Sequence, residues 1–127
     1  MNERKVKVGV VGCGWISEVH LTSLKKIPEA EVVAVCDVIE EKAKKAATRF
    51  GVRKHYASYE KMLKDEEIEM VDILLPTELH AEAVIKALEA NKHVIVEKPV
   101  TRTVEEAEEV VRYAKKSKAK FTVAHNY

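Results

Sequence analysis

The 127-residue sequence predicts an α/β domain built on a doubly wound parallel sheet of about six strands. Short runs rich in Val and Ile alternate with longer stretches rich in Ala, Glu and Lys along the whole chain, a pattern typical of βα units. A chain of this length suits one hydrophobic core. We therefore expect residues 1–127 to form a single domain.

Six segments have the composition of strands, and several are continuously apolar, as strands covered on both faces are. They are residues 6–11, 31–36, 54–56, 71–75, 93–96 and 121–124. Helical segments lie between them. Gly51 ends the segment 40–50 and Asn91 ends the segment 77–90, because both residue types favour a left-handed cap.

The last long helix opens with a capping box formed by Thr103 and Glu106. Its apolar residues recur at helical spacing and predict one face packed on the sheet. These residues are Val104, Ala107, Val110, Val111 and Ala114.

Composition excludes several kinds of partner. With 22 Lys and Arg against 21 Asp and Glu, the net charge of +1 provides no field that would attract nucleic acid or an anionic membrane. The first ten residues alternate charge and Val, and no apolar run approaches the ~18 residues of a membrane span. We expect a cytoplasmic protein whose Cys13 and Cys36 remain thiols and act as small buried hydrophobic residues. No group of His and Cys has metal-ligand spacing.

A glycine-rich turn follows the first strand directly and matches G-x-G-x-x-G/A with Ser in the third position. Gly12 permits the tight turn, Gly14 lets the backbone approach a pyrophosphate, and Ser17 is small enough for close packing. The helix that begins there offers free N–H donors to an anion. The turn predicts a dinucleotide site of the Rossmann type, and the alternative is a tight turn without a ligand.

Asp37 ends the second strand, 23 residues after Gly14, near the distance at which an acidic residue meets the adenosine ribose. Its carboxylate would accept the two ribose hydroxyl protons and repel a 2′-phosphate. The residue therefore favours NAD over NADP. Asp37 is also a candidate N-cap for the next helix, and the two roles can coexist.

Two further segments follow strand ends: the loop 74–80, Leu-Leu-Pro-Thr-Glu-Leu-His, and the triplet Glu97, Lys98 and Pro99. Together with the glycine turn and Asp37, they resemble the Gfo/Idh/MocA oxidoreductases, the group of glucose-fructose oxidoreductase and inositol dehydrogenase. The resemblance covers essentially the whole chain, as the N-terminal domain of that family. The triplet is its most specific element because of its place at a strand end.

The resemblance implies that Lys98 is the catalytic residue, which contacts the substrate hydroxyl and assists its proton loss while hydride moves to the nicotinamide. Glu97 would orient this lysine or meet the nicotinamide ribose, and Pro99 would set the turn. The alternative for Lys98 is a solvated surface lysine. The loop 74–80 would lie under the diphosphate, with Thr77 and His80 as polar contacts; a backbone hydrogen bond is the alternative for His80.

Trp15 either shields the pyrophosphate or caps the core, while His20, His55 and Tyr56 are interpreted as structural. The expected cofactor contacts are Gly12, Gly14, Trp15, Ile16, Asp37, Leu75, Pro76, Thr77, His80, Glu97 and Lys98.

By resemblance, the protein is an NAD-dependent dehydrogenase whose small-molecule substrate is a sugar, an inositol or a nucleotide sugar. The family adds a C-terminal substrate domain that these residues lack, so the isolated domain is expected to be inactive. A surface left without that domain would be apolar and would favour homo-oligomers. The alternative function is a non-catalytic Rossmann module that senses a dinucleotide or binds a protein.

Overall fold

The computed structural model describes residues 5–97 and 101–124. Within them, six strands form one sheet in the order β3-β2-β1-β4-β5-β6, and every pairing is parallel. The strands are β1 Val6–Val11, β2 Ala30–Cys36, β3 Lys54–Tyr56, β4 Met70–Ile73, β5 His93–Glu97 and β6 Phe121–Ala124. The helices are α1 Trp15–Lys25, α2 Glu40–Phe50, α3 Tyr59–Leu63, α4 His80–Glu89 and α5 Val104–Lys116.

Helices cover both faces of the sheet, as a doubly wound fold requires. On one face, α1 and α2 pack through Leu21 and Ala43 against Val8 and Val10 of β1. On the other face, α3, α4 and α5 form a second core cluster that includes Val110. The predicted α/β fold is confirmed.

Three of the six predicted strands have the predicted bounds, while β2 begins one residue earlier and β5 ends one residue later. The fourth prediction, 71–75, was wrong at its end, because β4 stops at Ile73. Leu74 donates one more bond to the carbonyl of Val11 at 2.9 Å. Pro76 then offers no N–H, so the ladder cannot continue.

Helix ends follow their predicted signals. Gly51 and Asn91 both have positive φ, 67° and 62°. At α5, the Thr103 hydroxyl accepts a bond from the Glu106 N–H at 3.1 Å, and the Glu106 carboxylate accepts from the Arg102 N–H at 3.0 Å. The reciprocal bond of the capping box therefore reaches Arg102, one residue before the cap.

Three helix predictions need correction. The segment 77–90 is a 3₁₀ turn, Thr77–Leu79, followed by α4. The five-residue helix α3 was missed because it is too short to show a period, although Ser58 caps it. On α5, Val110 is buried as expected, but Val104 and Val111 face outward.

A polar cluster stabilises the amino-terminal end of the sheet. The Asp65 carboxylate accepts bonds from Lys54 at 2.8 Å and from the Tyr56 hydroxyl at 2.7 Å. Burial acts to raise the pKa of Asp65, but these hydrogen bonds together lower it. Lys54 also pairs with Glu67 at 2.9 Å, and Arg53 joins Glu67 at 2.7 Å.

Lys92 is a buried lysine at the same end of the sheet. Its ammonium donates to the carbonyls of Asp65 at 2.9 Å and Ile68 at 2.7 Å. Desolvation lowers its pKa. The side chain thus joins the start of β5 to the loop before β4. In the described part of the chain, the helices are too short or too polar to cross a bilayer.

We predict that Lys92→Met lowers the free energy of unfolding by about 1–3 kcal/mol, because two buried carbonyls lose their donor. Urea unfolding measures the change. Lys64→Met, at an exposed lysine, is the matched control and should have little effect. Equal stability of both variants would contradict the role of Lys92.

We predict that Asp65→Asn destabilises the protein at pH 7 and that this difference disappears in acid. A carboxyl whose pKa is lowered from 3.8 by folding contributes stability above that value. The contribution is lost as the pH falls through the lower pKa of the folded state. Urea unfolding between pH 7 and pH 2, with the exposed Glu66→Gln as control, tests the prediction; a difference that does not depend on pH would contradict it.

Candidate functional site

The candidate site lies where the carboxyl ends of β1, β2 and β4 meet. β1 is flanked by β2 on one side and β4 on the other, so the chain direction across the sheet reverses there, and ligands bind at such switch points. A cavity of about 720 Å³ opens at this place. Its lining includes Gly12, Gly14, Asp37, Val38, Lys42, Ser58, Tyr59, Leu74, Leu75, Pro76 and Leu79.

Gly12 is held between the two neighbours of β1. Its N–H donates to the Cys36 carbonyl of β2 at 2.8 Å. Its φ is +100°, and a Cβ added there would lie 2.7 Å from the Leu74 carbonyl oxygen. Only glycine fits without displacing backbone, which confirms the predicted tight turn.

Gly14 differs from Gly12 because a Cβ added to it would meet no heavy atom within 4 Å among the described residues. It is the N-cap of α1, and no described side chain caps that helix end. The Ser17 hydroxyl donates to the Gly14 carbonyl at 2.6 Å and is buried. The first turn of α1 therefore presents open backbone with donors for an anion.

Asp37 joins the second strand end to the glycine turn. One carboxylate oxygen accepts from the Cys13 N–H at 2.9 Å, and the other accepts from the Ile39 N–H at 2.9 Å. The prediction that Asp37 caps the next helix was wrong, because the N-cap of α2 is Ile39. The remaining lone pairs of this half-buried carboxylate can accept two hydroxyl protons.

The loop after β4 provides the opposite wall through Leu75, Pro76 and Leu79. His80 is only 2% exposed, and its Nε2–H donates to the Leu75 carbonyl at 2.8 Å. This geometry agrees with the alternative given for His80, which is a hydrogen bond to nearby backbone. Thr77 lies in the 3₁₀ turn, and neither Thr77 nor His80 lines the cavity.

Ile16 is half-buried in the first turn of α1 and does not line the cavity. Trp15 begins α1, and its side chain lies outside the described structure. β5 pairs with β4 and ends at Glu97. The Glu97 side chain, Lys98 and Pro99 lie outside the described residues, so their expected roles stay predictions.

Sequence reasoning missed several residues that line the cavity. The Tyr59 hydroxyl donates to the Ala83 carbonyl at 2.7 Å, and burial raises the pKa of Tyr59. Ser58 and Lys42 also face the cavity. These residues follow no motif, and the one available signal was Ser58 as the cap of a helix too short to predict.

The two cysteines are poor nucleophiles. The pKa of Cys13 is raised to about 11, mainly because the thiol is buried and secondly because of the negative charge of Asp37. Burial, with the neighbouring Cys13, raises the pKa of Cys36 to about 12. Both thiols are free and stay protonated at neutral pH.

His20 makes a contact that its sequence interpretation did not include. Its Nδ1–H donates to the carboxylate of Asp72 at 2.9 Å, and Asp72 lies buried in β4. The hydrogen bond between them connects α1 to β4. Asp72 was missed because it stands inside an apolar strand. Residues 5–97 and 101–124 contain no group of three or more His, Cys, Asp or Glu arranged to hold a metal ion.

The chain is similar to a large family of known proteins. A family described as "Oxidoreductase family, NAD-binding Rossmann fold", Gfo/Idh/MocA, matches residues 6–125. Inositol 2-dehydrogenase of Salmonella typhimurium is 35% identical over 114 residues, which are 88% of this chain and 34% of that protein. Levoglucosan dehydrogenase of Pseudarthrobacter phenanthrenivorans is 35% identical over 98% of this chain and 34% of its own length.

Among solved structures, scyllo-inositol dehydrogenase of Lactobacillus casei, with bound NAD(H) and scyllo-inositol, has a TM-score of 0.89. It is 28% identical, and the match covers 95% of this chain and 36% of that one. The chain thus spans about a third of the length of these relatives.

We predict that Gly12→Ala lowers the free energy of unfolding by about 2–4 kcal/mol, because the new Cβ meets the Leu74 carbonyl and requires a strained φ. Gly14→Ala is the matched control and should lower stability by less than about 1 kcal/mol, since its Cβ meets open space and only the preference for glycine over alanine at the N-cap of α1 is lost. Thermal and urea unfolding of both variants test the pair. Similar losses of stability in the two variants would contradict the conclusion that only Gly12 requires glycine.

Proposed function

Because this chain belongs to the Gfo/Idh/MocA family of oxidoreductases, as its NAD-binding Rossmann domain, we propose that it holds NAD at the site described above and supplies a lysine for dehydrogenation of a hydroxyl group. The main support for the proposal is the convergence of Gly12, Gly14 and Asp37 on one cavity. The geometry of each of the three supports its proposed role.

The residues present fit a dinucleotide. The pyrophosphate would lie against Gly14, where the backbone is open and the N-terminus of α1 favours negative charge. The adenosine ribose would bond to Asp37, whose orientation is already set by two N–H donors. A cavity of about 720 Å³ extends from there to the loop at Pro76.

When bound, NAD supplies the acceptor for a hydride taken from the carbon that bears the substrate hydroxyl. In the proposed reaction Lys98, as its neutral amine, accepts the hydroxyl proton while the hydride leaves the same carbon, so that the alcohol becomes a carbonyl group. An ammonium next to a cofactor at a strand end can have its pKa lowered toward neutrality, which suits proton transfer. Glu97 would orient Lys98 from the end of β5.

For the substrate we propose a sugar-like polyol. The named relatives support this class: inositol 2-dehydrogenase, levoglucosan dehydrogenase and a dTDP-sugar 3-reductase. A further domain that completes the substrate pocket is part of the proposal, because the chain spans about a third of these relatives. We place the protein in the cytoplasm, an inference supported by its two free thiols.

We predict that the chain binds NADH more tightly than NADPH, because Asp37 accepts ribose hydroxyls and repels a 2′-phosphate. Asp37→Asn should weaken NADH binding by about 1–3 kcal/mol and reduce the preference. Isothermal titration calorimetry measures both. Asp65→Asn, a destabilised variant whose changed residue does not line the cavity, should bind NADH normally. Equal affinities in the wild-type chain, or tighter NADPH, would contradict the role of Asp37.

We predict that Lys98→Ala reduces turnover by about 100-fold or more, the scale of losing a proton-transfer group. The measurement needs this chain joined to a substrate domain of its family. NADH affinity should change little, since Gly14 and Asp37 hold the other half of the cofactor. Near-normal turnover would make Lys98 a surface lysine and would contradict its proposed catalytic role.

A further inference from the structure

A second groove lies beside the dinucleotide cavity, between α1 and α2. Its volume is about 540 Å³, and its lining includes the buried Ser17 of α1. Cys13, Gly14 and Lys42 line both the groove and the cavity. The two spaces therefore meet at the glycine turn, and the groove extends the candidate site to the side of the sheet that α1 and α2 cover.

Three cations of α2 line this groove: Lys42, Lys45 and Arg49. They are three and four residues apart, so they lie on one side of the helix. Arg49 is already paired with Glu18 of α1 at 3.1 Å. Within the described part of the chain, the ammonium groups of Lys42 and Lys45 form no ion pair and no hydrogen bond. These two ammonium groups are therefore available for an anion.

The position of Asp37 determines which part of a bound dinucleotide would reach this groove. The Asp37 carboxylate accepts the N–H of Cys13 at 2.9 Å, and Cys13 lines both spaces. Burial and Asp37 raise the pKa of the Cys13 thiol, and the charge of Lys42 acts against them, which places this ammonium near the same junction. A phosphate on the 2′-oxygen of a ribose held by Asp37 would therefore lie beside Lys42.

We propose that Lys42 and Lys45 form a subsite for the 2′-phosphate of NADP, so that the chain accepts NADP as a second cofactor. The inference rests on the proposed function, because it extends the same dinucleotide site. A phosphate monoester carries a charge of about −1.5 to −2 at pH 7, and two ammonium groups offset its repulsion by Asp37. Asp37 still bonds to a free ribose, so NADH remains the tighter ligand. The lysines reduce this preference without reversing it.

Two other roles for these lysines lead to different results. If Lys42 bound the pyrophosphate, its loss would weaken NADH and NADPH binding equally. If both lysines were only part of a solvated helix surface, their loss would change neither affinity. Lys44 provides the matched control, because it is exposed on the same helix, carries the same charge and lines neither space.

The first test measures NADH and NADPH binding by isothermal titration calorimetry. Lys42→Met weakens NADPH binding about five-fold or more, and adding Lys45→Met weakens it about twenty-fold or more, while NADH binding changes less than about two-fold. Lys44→Met leaves the ratio of the two affinities unchanged. Equal losses for both dinucleotides, or NADPH binding that is no more sensitive to Lys42→Met than to Lys44→Met, overturn the subsite. A wild-type chain that binds neither dinucleotide contradicts the proposed function as well.

The second test removes the pyrophosphate from the ligand. Adenosine 2′,5′-bisphosphate and adenosine 5′-monophosphate differ only in the 2′-phosphate, and neither contains a pyrophosphate or a nicotinamide. In titrations followed by NMR, Lys42→Met weakens binding of the bisphosphate about five-fold or more and leaves binding of the monophosphate unchanged. Circular dichroism confirms that each variant folds. A bisphosphate affinity that does not respond to Lys42→Met overturns the proposal.

Discussion

The close contact between Gly12 and its two neighbouring strands is the constraint on which the site depends. On one side the N–H of Gly12 bonds to the β2 carbonyl of Cys36, and on the other side its Cα faces the Leu74 carbonyl after β4. The chain leaves β1 between the end of β2 and the segment that follows β4. A side chain in that gap would displace backbone, so the turn that leads into α1 depends on glycine at this position.

The carboxylate of Asp37 serves both the local structure and the proposed function. Its two bonds to the N–H groups of Cys13 and Ile39 hold the end of β2 against the glycine turn. The same bonds orient the carboxylate before any ligand arrives, which reduces the ordering cost of binding. A residue selected for cofactor binding would in this way also contribute to the local structure.

Apart from the buried Asp72, which pairs with His20, the polar groups described above lie at the two ends of the sheet. At the carboxyl end, the backbone at Gly14 and the carboxylate of Asp37 line a cavity and keep unused hydrogen-bonding capacity. At the amino end Lys54, Asp65 and Lys92 satisfy one another and the backbone. Buried polar groups cost free energy unless they are paired. The open groups at the carboxyl end are therefore available for a ligand.

Local chemistry was enough to predict the fold class, the bounds of three strands, the caps at Gly51 and Asn91, and the tight turn at Gly12. That Gly12, Gly14 and Asp37 bind a cofactor stays a prediction, although the three line one cavity. Apolar runs, left-handed caps and a glycine motif at a strand end can all be read within a few neighbouring residues. The end of β4, the role of Tyr59, the His20–Asp72 pair and the outward direction of Val104 and Val111 became visible only in the folded chain. Each of these depends on which elements become neighbours, and contacts between residues far apart in the chain leave no periodic signal in the sequence.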